Sequence, residues 1–333
     1  MCISMKKFFT VIFLSFVMVS AVILAGCTEI GHSAESAKIS VVATIFPCYD
    51  FAKQVGGEYA DVSLLIPPGG ESHSYEPTSA DIIKIGKCDL FIYVGGESDK
   101  WVEEIIGSVK NGGRDIRTLK LMDCVTVLEE DLDSIASDEE EHADDVGDGS
   151  EHGTHDEEYD EHVWTSLRNA KKILASVESV FSELDPENSE IFAENCASYV
   201  SGISELDSKF TELFNSVSNK TMIFGDRFPF LYFTRDYEIP YYAAFPGCAS
   251  QTEPSILAIS KLIDRAKEEK ITTIYYLDFS SSKTADSISE ATGAETACLY
   301  SCHNVTEEQL KNGVTYLSLM TDNYETIKNA LEK

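Results

Sequence analysis

The sequence predicts an α/β protein of two lobes, each a mostly parallel sheet flanked by helices, joined by one long rigid helix. Three observations carry that prediction. Short β-branched and aromatic runs alternate with amphipathic stretches in both halves of the chain, the pattern of βαβ units. Between the halves an apolar stripe holds helical spacing through Ile191, Cys196, Tyr199, Ile203, Leu206, Phe210, Leu213 and Val217. Proline and glycine clusters, Pro67–Gly70 and Gly95–Gly96, stop the strands where loops should begin.

In the first half, Ile39–Ile45 has the β-branched content of a buried strand, and a helix follows from Pro47 to Val55. Val62–Ile66 is a second strand, Ser79–Lys87 a short helix capped by Thr78 or Ser79, and Leu90–Val94 a third strand. Lys100–Val109 reads as helix, and a strand is expected near Cys124–Leu128. Ser166–Leu184 is helical, and Pro186 suits the first turn of a helix reaching Val217. A helix of about 30 residues spans about 45 Å, enough for a spine between lobes. The second half expects strands at Lys220–Phe224, Tyr241–Phe245, Thr272–Leu277 and Ala297–Tyr300. Helices are expected at Phe230–Asp236, Ser255–Glu269, Ser282–Thr292 and Thr315–Leu331. The resulting boundaries are an N-terminal lobe over 39–185, a linking helix over 186–218 and a C-terminal lobe over 219–333.

The first residues stand apart from the fold. Lys6 and Lys7 precede an apolar run from Phe8 to Ile23, and Leu24-Ala25-Gly26-Cys27 follows. This reads as a signal peptide over 1–27 ending in a lipobox, with Cys27 the lipid anchor and 28–38 a polar tether. A spanning helix is the competing reading of the same run. The mature chain is thus expected outside the cytoplasm, lipid-anchored to the cell membrane. Seven cysteines follow Cys27, an odd number, and they form no CxxC pair. A Cys₄ zinc site is therefore not expected, and a Cys248–Cys302 bridge is one option among the pairings.

A net charge of −31 argues against nucleic-acid binding, where a basic face is expected. Residues 129–161 hold 17 Asp and Glu and no Lys or Arg. So polar a segment buries too little apolar surface to offset its ordering entropy, and a disordered loop is expected there. Its His142, His152 and His155 make it either a loose collector of metal or a solvated spacer.

Three other histidines lie in segments that look ordered. His73 sits in Pro67-Pro-Gly-Gly-Glu-Ser-His-Ser-Tyr-Glu-Pro77, just past a strand's carboxyl end, where open α/β sheets place ligands. Glu71 or Glu76 is placed to accept the ring's second N–H, as metal sites require. His162 lies in Tyr159-Asp-Glu-His-Val-Trp-Thr165, with Val163 and Trp164 as anchors. His303 and Cys302 follow the last strand in Tyr300-Ser-Cys-His-Asn304; the imidazole is the preferred donor, since a disulfide would occupy the thiol. Three imidazoles and one oxygen suit Zn²⁺, whereas Mn²⁺ takes more oxygen.

Several motifs together resemble the zinc and manganese substrate-binding lipoproteins of ABC importers, cluster A-I, in their zinc-binding branch. They are Gly70-x-x-His73-x-Tyr-Glu-Pro77 with Asp81, the acidic His-bearing insertion, Asp160-Glu-His-Val-Trp164, Phe228-Pro-Phe-Leu-Tyr-Phe233 and Gly313-Val-Thr-Tyr-Leu-Ser-Leu-Met320. The resemblance spans residues 39–331. It implies one metal between the lobes, with His73 and His162 from the first lobe and His303 within about a residue of the last ligand. The family usually has His or Glu about five residues before the Tyr-Phe pair. Arg227 stands there and cannot ligate, so Asp226 or a water is expected to supply the oxygen.

The resemblance also implies a monomer that captures Zn²⁺ and passes it to an ABC permease and its ATPase. Mn²⁺ is the second choice. A secreted zinc hydrolase is the competing class, but neither HExxH nor G-x-S-x-G occurs in the chain, so no enzyme is expected. Surface lipoproteins of this kind also raise cell adhesion, for which the sequence specifies no partner.

Overall fold

The computed structural model describes residues 38–72, 75–131, 159–247 and 254–332. Residues 1–37, with Cys27 and the tether, lie outside it, as do His73, Cys248 and the three histidines of the acidic segment. Lys38 onward forms one compact unit.

The first lobe contains β1 (Ile39–Ala43), α1 (Phe46–Gly56), β2 (Ala60–Leu64), α2 (Ser79–Ile85), β3 (Leu90–Tyr93), α3 (Lys100–Asn111) and β4 (Arg117–Lys120). Its four strands are parallel, in the order β2-β1-β3-β4. Then come α4 (Leu167–Leu184), a 3₁₀ turn at Pro186–Asn188 and α5 (Ser189–Ser216). The turn and α5 make the expected spine, 28 residues of it regular helix. The second lobe has β5 (Met222–Phe228), α6 (Leu231–Asp236), β6 (Tyr241–Pro246), α7 (Ile256–Glu268), β7 (Thr273–Leu277), α8 (Lys283–Thr292), β8 (Glu295–Leu299), α9 (Glu307–Lys311) and α10 (Tyr316–Leu331). Its parallel order, β6-β5-β7-β8, repeats that of the first lobe.

Alternation along the strands explains the layers. Val41 and Ala43 of β1, like Leu90 and Ile92 of β3, enter a core that continues through the spine into the second lobe. Val42, Phe91 and Tyr93 point the other way, against Ile85, Val102 and Ile105. In β5, Met222 and Phe224 join the shared core while Ile223 packs outward against Leu262 and Ile288. Each sheet is thus covered on both faces, as parallel sheets require.

Three expectations need correction. The strand placed near Cys124–Leu128 lies earlier, at Arg117–Lys120, and Leu121–Cys124 is a 3₁₀ turn. An edge strand reading Arg-Thr-Leu-Lys has no apolar run to reveal it, whereas Leu121 and Met122 are buried from the turn. The acidic segment is anchored at both ends: Glu129 bridges Tyr159, the Asp160 N–H donates to the Leu128 carbonyl at 2.9 Å, and Asp160 and Glu161 are buried. Only 132–158 of that segment falls outside the described residues. Cys302 carries a free, fully buried thiol and so takes no part in a bridge to Cys248.

A buried carboxylate knits the lobes to the spine. Asp50 of α1 accepts from Tyr199 Oη of α5 at 2.6 Å, from the Tyr316 N–H that opens α10 at 3.0 Å and from Gln54 at 3.0 Å. Tyr199 Oη in turn accepts the Leu317 N–H at 3.1 Å. Removing the acceptor leaves buried donors unsatisfied, at about 1–3 kcal/mol each. Asp50→Ala should lower the free energy of unfolding by about 3 kcal/mol and Asp50→Asn by less than half as much, as urea titration would show. Equal losses for the two variants would contradict this account.

Candidate metal site

Both sheets direct the C-terminal ends of their strands at one cavity of about 250 Å³. In each lobe the chain leaves the first strand toward one neighbour and returns on its other side. Open sheets bind ligands at such crossover points. Gly69–Ser72 after β2 line the cavity from the first lobe; Arg227 near the end of β5, Asp278–Ser280 after β7, and Ser301, His303 and Asn304 after β8 line it from the second.

His162 comes to it from the first lobe on a 3₁₀ turn, Val163–Thr165. It is 2 % exposed. Its N–H donates to Asp160 Oδ1 at 2.8 Å, and its Nδ1 lies 3.3 Å from the same oxygen. A proton held on Nδ1 by that carboxylate leaves Nε2 as the donor for a metal. Burial works to lower the His162 pKa, but Asp160, Glu161 and Glu130 outweigh it and the net direction is upward. Gly247 closes in from β6: a Cβ there would lie 2.9 Å from His162 Cε1 and 2.9 Å from the Phe228 carbonyl. Only glycine admits the ring in this position.

His303 reaches the cavity from the second lobe. Its ring centroid lies 6.3 Å from that of His162, with Trp164 5.3 Å from each. Two imidazoles on one tetrahedral metal, with Zn–N of about 2.1 Å, place their centroids about 5 Å apart. The observed separation is about 1 Å wider than that. Cys302, beside it, points into the core, and burial pushes its thiol well up; it is no thiolate donor.

Asp226 is engaged elsewhere. Its Oδ1 accepts from the Arg227 N–H at 2.8 Å and Ser280 Oγ at 2.9 Å, and its Oδ2 from the Leu277 N–H at 2.9 Å. It does not line the cavity, whereas Asp278 does. Burial pushes the Asp278 carboxyl up to about 6, against the pull of the Ser301 N–H and hydroxyl, and nearby Asp226 adds to the rise. The Ser301 N–H donates to Asp278 Oδ1 at 2.8 Å. Backbone strain collects at this edge: Phe279 and Cys302, neighbours of Asp278 and His303, have φ of 58°. Such outliers gather at functional sites. Nothing in the sequence separates Asp278 from Asp226, and it is the fold that places Asp278 on the cavity.

Glu71 lines the cavity, with Oε2 3.7 Å from Arg227 Nη2. Glu76 is exposed. His73 lies outside the described residues, although Gly69–Ser72 before it line the cavity. Ser72 Oγ there is buried without a hydrogen-bond partner among the described residues. Among the described residues no three His, Cys, Asp or Glu side chains already converge on one point.

Two parallel-sheet lobes on a helical spine thus hold a polar cavity between their strand ends. The chain matches the model of the ZnuA family, zinc-uptake complex component A periplasmic, over residues 41–330, and it belongs to that family. It is similar to the zinc-binding lipoprotein AdcA of Streptococcus pneumoniae, 29% identical over 313 residues, covering 94% of this chain and 59% of that relative. The chain thus spans little more than half of that protein. The high-affinity zinc uptake system protein ZnuA of Bacillus subtilis is 30% identical over 294 residues, 88% of each chain. The crystal structure of the Zn(II)-bound ZnuA-like domain of the pneumococcal AdcA aligns with a TM-score of 0.71 at 27% identity, covering 89% of this chain and 100% of that one.

Behind His162 stands a second carboxylate layer. Glu161 accepts from the Ser98 N–H at 3.0 Å and from its hydroxyl, and Gly96, with φ of 80°, lies so close that a Cβ would sit 2.6 Å from Glu161 Oε2. Asp99 accepts from the Val94 and Gly95 N–H groups at 2.7 and 3.1 Å. Burial pushes its carboxyl up to about 7 against those two bonds, and Glu161 adds to the rise. The folded chain thus keeps a proton that the unfolded chain releases near pH 4. Its contribution to stability is complete below that value and falls as pH rises from about 4 to about 7. Asp99→Asn should remove this loss, gaining stability over wild type across that window in urea titrations. Midpoints that move in parallel for the two proteins would refute it.

Proposed function

We propose that this chain captures Zn²⁺ outside the cytoplasm, held to the membrane through a lipid on Cys27, and passes it as a monomer to an ABC permease and its ATPase. The observation that carries the reading is the pairing of His162 and His303, one from each lobe, across a polar cavity. Neither lobe alone would hold the ion, so capture is tied to the relation between lobes. His73 supplies the third imidazole, and Asp278 takes the place expected of Asp226 as the carboxylate of the site. Zinc as cargo follows from this nitrogen-rich set and agrees with the zinc-binding and zinc-uptake names of the two curated relatives. The ion is transported and not used in a reaction, so the chain is no enzyme. Among the described residues no helix is long and apolar enough to cross a membrane.

Competitive titration of the soluble chain from residue 28 tests this. One tight equivalent of zinc should bind, and the double variant His162→Ala/His303→Ala should lose it. Loose binding of several ions that survives in the double variant would contradict the reading. The two aspartates should separate by readout. Asp278→Asn should weaken zinc by about tenfold or more, through loss of a charged oxygen donor, with little change in the unfolding midpoint. Asp226→Asn should chiefly lower that midpoint, since three donors rely on its carboxylate. The reverse pattern would return the ligand role to Asp226.

A further inference from the structure

A permanent cation lines the cavity meant for a dication. Arg227 closes the irregular stretch of β5, where the register against β6 shifts between Phe224 and Arg227. Its side chain is 30 % exposed, and it pairs with Glu71 of the opposite lobe at 3.7 Å. Guanidinium does not deprotonate in proteins, so this charge stays beside the metal at every working pH.

The reason emerges from the oxygen donors of the cavity. The Ser280 hydroxyl donates to Asp226 at 2.9 Å. Ser301 Oγ accepts the His303 N–H at 3.3 Å. Asn304 Oδ1 accepts the Val305 N–H at 2.7 Å, while its amide nitrogen holds the Pro67 and Gly70 carbonyls at 3.1 and 2.8 Å. Among the described residues the carboxylates that line the cavity are Asp278 and Glu71, the oxygens with enough charge to displace water from a dication. Arg227 engages one of them. Divalent metals differ in what they accept: zinc is satisfied by four nitrogen-rich ligands, whereas Mn²⁺ favours six with more oxygen.

We infer that Arg227 is a specificity-determining residue: by engaging Glu71 it denies the site a second carboxylate and so discriminates against Mn²⁺ in favour of Zn²⁺. This rests on the zinc reading of the same cavity. It also explains why a cation is tolerated there. The ion pair keeps the local charge low while limiting the coordination shell. A plain electrostatic role would weaken all dications alike, and a plain tie between lobes would not depend on which metal is offered.

Zn²⁺ and Mn²⁺ affinities of the soluble chain from residue 28, measured by competition with a chromophoric chelator, separate these roles. Arg227→Met keeps bulk and removes charge. It should lower the Zn²⁺-to-Mn²⁺ affinity ratio by about tenfold or more, because the cation that competes with a metal for the Glu71 carboxylate is gone and the larger ion prefers oxygen. Adding Glu71→Gln to that variant should restore most of the ratio. A ratio unchanged in Arg227→Met, or a change that persists after Glu71→Gln, would overturn the inference. A wild-type chain without a tight zinc site would instead overturn the reading beneath it, and the inference with it.

Discussion

The site depends on where Trp164 is held. Its indole is 1 % exposed and packs against the rings of both His162 and His303, 5.3 Å from each. Its Nε1 donates to the Ser301 carbonyl at 3.0 Å, and its own carbonyl accepts from Tyr316 Oη at 2.7 Å. One residue of the first lobe is thereby fastened to the loop that carries His303 and to the helix that closes the second lobe. A buried aromatic with both polar ends engaged has few alternatives to its native position. The two imidazoles inherit that rigidity from the indole they share.

The same constraint shapes how the lobes can move. The base of the His73 loop is held to the second lobe by Asn304, which donates to Pro67 and Gly70, and by the Gly69 N–H on the Val305 carbonyl at 3.0 Å. The Phe46 N–H donates to the His303 carbonyl at 3.2 Å. With α1, α5 and α10 also joined through Asp50 and one core running through both lobes, a wide hinge opening would break many buried bonds at once. At the rim of the cavity Phe279 is half exposed and Glu71 meets Arg227.

The architecture was legible because its signals are local. Val41, Val42, Phe91 and Ile92 announce buried strands, and the stripe from Cys196 to Leu213 announces the spine. β4 was illegible because Arg117–Lys120 is a polar edge whose pairing comes from its neighbour. Composition also misread Asp160 and Glu161 as part of a solvated run, since it takes no account of the Leu128, Ser98 and Tyr232 contacts that bury them. The site divided in the same way. His162 and His303 could be singled out by their ordered surroundings, and the structure brings both to one cavity. The choice between Asp226 and Asp278 required knowing which strand end meets the cavity. Arg227 was visible as an oddity in the chain, but its partner Glu71 lies in the other lobe and only the fold brings them together.

The most direct test of a metal held between the lobes is a crystal of the zinc-loaded chain with diffraction recorded on both sides of the zinc absorption edge. The account predicts one strong anomalous peak, about 2.0–2.1 Å from nitrogens of both His162 and His303. A peak bound by residues of a single lobe, or located away from the cavity, would contradict it.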